Sequence, residues 1–342
     1  MGTQHWKGAW AFVGLIVVLL GGVTGEVDAE TIRARLGTSL PDSHPQTSGA
    51  RKFAEIVEAR SDGRIRIKVH PAGQLGSDQQ MQSALRAGTQ QFTVPSTATL
   101  ANLVPAFGVI GTPFAFQSEE QADAVLDGPF GQGLLDRLPQ VGMVGLAFWE
   151  NGFRNLTNSR RPVLRVEDIE GLKVRTMQNA VYIDMFRGMG ANAVPMAVTE
   201  LFTALETGAV DGQENPYTVV HAQRFYDVQK YLSTTMHAYD AQVLVVSGKF
   251  WGRLSEGDRA LLKEAAREAT KFQRRQSREL NGKLREELAS QGMQINEVSA
   301  QERGRMRERL LPVVSRHRAQ FGEEIVSGFE AALADNVKGG EK

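Results

Sequence analysis

Ile65-Arg66-Ile67-Lys68-Val69-His70 alternates apolar and polar side chains along its whole length. That period puts Ile65, Ile67 and Val69 on one face, as a half-buried strand requires. Working backward, Ser61-Asp62-Gly63 supplies a helix stop with a glycine for the left-handed end position. Phe53, Ile56 and Val57 recur at helical spacing up to Arg60, and residues 41–46 read as a turn. Before them, Ile32, Ala34 and Leu36 alternate with Arg33 and Arg35 as another strand. Working forward, a helix is expected over Asp78–Ala87 and a short strand over residues 92–94. Strand, helix, strand, helix, strand in that order predicts parallel strands joined by crossovers, an α/β architecture.

A second α/β pattern follows an apolar strand that ends at Trp149. Strands are expected at 172–175, 194–196 and 242–247, helices at 182–189 and 199–206, and a brief extended piece at 210–213. From Ser255, a suitable N-cap, to Gln291 the chain favours helix, and Gly292 stops it. A helix of roughly 36 residues runs about 54 Å, longer than one domain is wide, so it should straddle two. Gly282 within it costs about 1 kcal/mol against Ala and marks a place to bend.

The 39 basic and 39 acidic side chains of the 342 residues cancel, so no net field draws the chain to nucleic acid or anionic lipid. With 42% hydrophobic and 23% charged residues the composition is globular. Cysteine is absent, which excludes disulfides, thiolate zinc sites, iron–sulfur ligation and Cys nucleophiles. At the N-terminus Lys7 precedes an apolar run over residues 9–20, broken by Gly21, Gly22 and Gly25 and followed by Val27-Asp28-Ala29. This is the layout of a secretory signal peptide (residues 1–29) cleaved near Ala29, its apolar run falling short of the ~20 residues that span a bilayer.

Motifs for nucleotide chemistry are missing. Gly128-Pro129-Phe130-Gly131-Gln132-Gly133 lacks dinucleotide-fingerprint spacing, and there is neither a P-loop nor a nucleophile elbow. The 6 histidines are scattered, with no pair on one helix face to seat a metal; neither metal nor cofactor is expected. Asp211 and Glu214 admit two readings, a carboxylate pair for acid–base work or turn carboxylates accepting backbone N–H bonds. The positive signal is a pair of arginines at strand ends, Arg154 after the strand ending at Trp149 and Arg175 closing Gly171-Leu172-Lys173-Val174-Arg175. Ligands of open α/β sheets lodge beyond the carboxyl ends of strands, and a guanidinium fork matches a carboxylate with two parallel bonds. Composition alone would equally allow two ordinary surface arginines.

Gly73-Gln74-Leu75-Gly76 with Asp78, Thr112-Pro113-Phe114-Ala115-Phe116, Gly190-Ala191-Asn192-Ala193-Val194-Pro195-Met196, Thr203-Ala204-Leu205-Glu206-Thr207-Gly208, Val210-Asp211-Gly212-Gln213-Glu214-Asn215-Pro216 and the segment from Phe225 to Leu232 occur in that order. With the Arg175 segment, they resemble the solute-binding proteins of tripartite ATP-independent periplasmic (TRAP) transporters, of the C4-dicarboxylate-binding type, over essentially residues 31–333. The resemblance implies an α/β, two-lobed periplasmic-binding-protein clamp with a long helix spanning both lobes. Lobe I would comprise residues 30–151 and 241–279, lobe II residues 152–240 and 280–342, with hinges at 149–152, at 239–242 and in the long helix. It implies a periplasmic monomer that is not an enzyme, that holds a small carboxylate in the cleft and that delivers it to a membrane permease. Arg175 matches the arginine that pairs with the ligand carboxylate, Asn215 its asparagine partner and Arg154 the second cleft arginine. Ser96 and Thr97 match positions that reach the ligand's far end, and Asp240, at the second crossing, joins the candidates. Val198 stands where many relatives carry Phe or Trp, so an aromatic wall is lost. Hydroxyl and amide groups at Ser96, Thr97, Gln178 and Asn179 favour a hydroxylated monocarboxylate such as a uronate or aldonate. A C4-dicarboxylate receptor, and a secreted hydrolase or lyase using Asp211, Glu214 or His237, are the alternatives.

Overall fold

A computed structural model describes Met1 and residues 31–339; the expected signal peptide lies outside the described residues. The described residues form nine strands, β1 (Ile32–Gly37), β2 (Ile65–His70), β3 (Phe92–Thr93), β4 (Met143–Asn158), β5 (Lys173–Thr176), β6 (Asn192–Pro195), β7 (Gly212–Asn215), β8 (Tyr231–Ser247) and β9 (Gln294–Glu297). They form one sheet in the order β2-β1-β3-β8-β4-β7-β5-β6, with β9 on β8. β1 is parallel to β2 and β3, and β5 is parallel to β6 and β7, as crossover helices dictate.

The two long strands join these parallel groups. β4 and β8 are antiparallel along most of their length, with β3 beside the C-terminal end of β8 and β9 beside its N-terminal end. Both strands are longer than expected. β4 runs on from Trp149 to Asn158 and β8 begins at Tyr231, ahead of Gln242. Arg154 therefore sits inside a strand and not beyond the end of one. The helix Pro45–Arg60 also starts earlier than its apolar spacing implies, because Pro45 pre-sets the first helical φ and the His44 side chain caps it by accepting from the Gln46 N–H.

The long helix Glu256–Ser290 has 35 residues and Ser255 as its N-cap, and its helical pattern continues through Gly282. Its N-terminal half buries Leu262, Ala265, Ala266 and Ala269 with Phe53, Phe92 and Trp149. Near its C-terminal end Leu288 joins a different cluster with Leu201, Leu205, Val219 and Phe225. One helix thus contributes to two separate apolar cores, which is the bridging role its length demands. The largest core, containing Phe107, Phe148, Phe153 and Phe186, connects both halves. The final helix, Glu323–Gly339, sets Phe329 against Phe116 and Phe130, with ring centroids 5.4 Å apart in both pairs. It thus lies against residues expected from the sequence to belong to the other lobe. Among the described residues no helix is long and apolar enough to cross a membrane.

Candidate functional site

The β4–β8 ladder carries a cleft at its midpoint. Strict alternation would send residues 151 and 154 to opposite faces, but the register slips between Glu150 and Gly152 and leaves Asn151 as an extra residue. A bulge of this kind re-aims side chains, and Asn151 and Arg154 both line the cleft. Gly152 at that slip has φ 109°, a left-handed conformation that a Cβ would strain. Opposite them β8 contributes Asp240 and Gln242; Arg175 enters from β5, Asn215 from β7, and Asp78 from the first turn of the helix Asp78–Ala87.

The two arginines have different surroundings. Arg154 is 1% exposed and fully engaged. Its Nε donates to Glu214 Oε2 at 2.5 Å, its Nη2 to Glu214 Oε1 at 2.9 Å and its Nη1 to Asp240 Oδ2 at 2.9 Å. Burial opposes the charge, but Glu214 and Asp240 outweigh it and hold the guanidinium pKa above its usual value. Glu214 is disfavoured by burial too, yet Arg154 and His237 bring its pKa down to about 2. Asp240 accepts from Ser96 Oγ at 2.6 Å and from Asn151 Nδ2 at 2.7 Å, while burial raises its pKa.

Arg175 is 2% exposed, and its Nε and Nη2 both turn to the Met196 carbonyl, at 2.9 and 2.6 Å. Among the described residues no carboxylate lies within ion-pair distance of it. Burial pushes its pKa down to about 10, a fall that Glu214 opposes and Arg154 deepens. A buried cation without a counter-ion is costly, and an anion entering the cleft removes that cost.

The cleft also holds acceptors without donors. Asp78 Oδ1, Asn151 Oδ1 and Gln242 Oε1 are closed to water and receive no hydrogen bond. Each such group costs about 1–3 kcal/mol until a donor arrives. Burial pushes the Asp78 pKa up to about 6, opposed by hydrogen bonds from Ser39 and the Ser96 backbone. Chemically, among the described residues the cleft offers one cation without a carboxylate partner for an anion, and unpaired acceptor oxygens for hydroxyl donors.

Most expected residues converge here: Arg175, Arg154, Asn215, Ser96, Gln178 and Asp240 line the cleft, and Val198 contributes its aliphatic wall. Thr97 and Asn179 are buried outside the lining. Asn179 is consumed locally, its Oδ1 accepting from the Val181 and Tyr182 N–H groups and its Nδ2 donating to Ala98 O at 2.7 Å. Of the carboxylate pair, Asp211 accepts the Lys173 N–H at 2.8 Å, the turn role, and Glu214 is tied to Arg154 and His237. Asn151 and Gln242 were legible only as hinge positions, and Asp78 only as part of a motif. Buried polar residues on strands were the signal for the first two.

A cleft on two long strands that join two parallel strand groups, holding among the described residues one arginine without a carboxylate partner, fits a two-lobed solute-binding clamp. The family model for the bacterial extracellular solute-binding proteins, family 7 (DctP), matches residues 36–320. The chain belongs to that family and is a solute receptor of the TRAP type. It is similar to the Advenella mimigardefordensis sugar acid binding protein DctPAm, solved in complex with galactonate, at 42% identity and a TM-score of 0.88, covering 90% of this chain and 99% of that one. It is 36% identical over 80% of its length to the 2,3-diketo-L-gulonate-binding periplasmic protein YiaO of Escherichia coli K12, covering 82% of that protein. To the C4-dicarboxylate-binding protein DctB of Bacillus subtilis it is 34% identical, over 84% of this chain and 82% of that one.

Proposed function

We propose that this receptor captures a hydroxylated monocarboxylate, of the aldonate or uronate class, and hands it to a TRAP membrane permease. The observation that carries the reading is Arg175, buried in the cleft with no carboxylate partner of its own. The ligand carboxylate takes that guanidinium together with Asn215, and its hydroxyls meet Ser96, Gln178 and the unpaired acceptors. Relatives named for galactonate and for 2,3-diketo-L-gulonate support the hydroxy-acid class. The chain is exported by its signal peptide, works in the periplasm as a monomer and releases its ligand unaltered. Asp211 and Glu214 are both committed to structural bonds, which supports the absence of catalysis.

Truncating one partner of a buried charged pair costs about 2–5 kcal/mol, so Arg175→Ala should weaken binding roughly 30- to several-thousand-fold. Calorimetry on the mature protein, after a thermal-shift screen of organic acids, measures this. A ligand at about 100 times its Kd adds about 2.7 kcal/mol of apparent stability, an easily read shift. Stabilisation by succinate or malate and by no sugar acid would replace this reading with a dicarboxylate receptor. Equal affinity in Arg175→Ala would remove that residue from the site, and turnover of the bound acid would make the protein an enzyme.

A further inference from the structure

We propose that the open edge of β4 is a docking site for an extended, acidic segment of another protein, which adds a strand to the sheet there. The site lies apart from the ligand cleft and does not depend on which acid the cleft holds.

The edge follows from the sheet order. β4 pairs with β8 along most of its length, but on its other side β7 reaches only residues 155–158. Among the described residues no strand lies beside residues 144–148 on that side. Edge strands are commonly guarded by charge or proline on the strand itself, and residues 143–149 carry neither. Residues 144–147 are half-buried. Leu146, left without a partner on β8 where the register slips, lines a groove of about 820 Å³ together with Ala147 and Phe148. Side chains of the long helix already complete one end of this edge. Gln273 makes both bonds that a neighbouring strand would make to Glu150, accepting its N–H at 2.9 Å and donating to its carbonyl at 2.6 Å. Arg274 Nη2 donates to the Phe148 carbonyl at 3.0 Å. The backbone beyond them offers the same ladder groups to an incoming strand.

Charge chooses the occupant. The long helix borders the groove with Arg267, Lys271 and Arg275, all exposed and each four residues from the next, so that they form one row. Asp123 and Asp127 on the facing wall are taken by Arg274 and Arg278, and Glu279 lies 3.9 Å from Arg275, which leaves Arg267 and Lys271, among the described residues, without a carboxylate partner. Successive side chains of a strand point to opposite faces, so acidic residues at every second position of an added strand would meet that row. A second copy of this chain fits poorly, because edge-to-edge pairing would set the same cations against one another.

The probe is a fluorescent hexapeptide alternating glutamate and valine, added to mature full-length protein and followed by anisotropy. It should bind saturably, and its lysine counterpart should not. Reversing charge in the double variant Arg267→Glu, Lys271→Glu should weaken the peptide by about tenfold or more. Strand addition has its own readout. N-methylation of alternate residues removes the ladder donors from one side of the peptide only, so one methylated series should fail and the other should bind. That pair is measured on wild-type protein and decides the matter even if the double variant fails to fold. No saturable binding, equal binding by the glutamate and lysine peptides, or identical behaviour of the two methylated series overturns the proposal. So does displacement of the peptide by free glutamate at comparable concentration, which would reduce the groove to a small-anion site. A dimer in sedimentation that the peptide dissociates would make the occupant a second copy and overturn it as well. Each of these results leaves the binding of organic acids in the cleft untouched.

Discussion

Arg154 and Arg175 are the same residue type at comparable positions in the sequence, yet among the described residues only Arg154 pairs with carboxylates. The difference lies in partners distant along the chain: Glu214 and Asp240 reach Arg154, and no carboxylate among the described residues reaches Arg175. Buried ion pairs are expensive to break, because removing one side strands the other. Glu214→Gln should therefore cost about 3–5 kcal/mol in denaturant unfolding at pH 7 and should disturb the cleft through Arg154. The pH dependence has a definite sign. Glu214 is held at about 2 against an ordinary 4.5, so its contribution is complete above that ordinary value and disappears as pH falls through about 2. The gap between wild type and variant should follow the same course. A constant gap across that window would mean the glutamate's charge contributes nothing. At this scale the cleft arginines, Asn215 and Ser96 were legible through the family's motifs. The missing counter-charge at Arg175 was not, since ion pairing is a property of three-dimensional neighbours.

The strands show why legibility ended where it did. The apolar ends of β4 and β8 were found from the sequence, and the polar stretches through the cleft were not. Residues 150–158 of β4 and 231–241 of β8 hold buried Glu150, Asn151, Arg154, Ser233, His237 and Asp240, so no alternation of apolar and polar side chains announces a strand. Local rules fail where a site is built, and the failure itself marks the site. The long helix follows its local rules, cap and stop included, and was read nearly to the residue. It grips β4 through Gln273, whose Oε1 accepts the Glu150 N–H at 2.9 Å and whose Nε2 donates to Glu150 O at 2.6 Å. Gly49 makes room for that contact: a Cβ there would lie 2.8 Å from Gln273 Cγ and 3.1 Å from the Trp149 ring. Gly49→Ala should destabilise the protein by about 1–3 kcal/mol through overpacking. Adding Gln273→Ala should cost less than the sum of the two single changes. Strict additivity in a chemical-denaturation cycle would show that the glycine and the glutamine do not share that space.

Taken whole, the molecule ties together segments that the sequence assigns to different lobes. Asn102 Nδ2 donates to Gln178 O at 2.7 Å across the cleft mouth, His44 Nε2 lies 3.2 Å from Thr218 Oγ1, and Leu40 packs into the core of Leu201, Leu205 and Val219. A ligand shifts an open–closed equilibrium only through interactions that exist in one of the two states. The Asn102–Gln178 bond is a suitable probe because it touches the mouth of the cleft and no core. Asn102→Ala should remove about 0.5–1.5 kcal/mol from the form that holds this bond, weakening ligand affinity roughly two- to tenfold. Small-angle scattering should show the radius of gyration contracting on saturation with an acid selected by the thermal-shift screen in wild type, with more ligand needed for the same contraction in the variant. If Asn102→Ala bound as tightly as wild type, or if saturation left the radius unchanged, closure would not be what couples these contacts to ligand capture. The two lobes would then act as a rigid receptacle that Arg175 alone makes selective for acids.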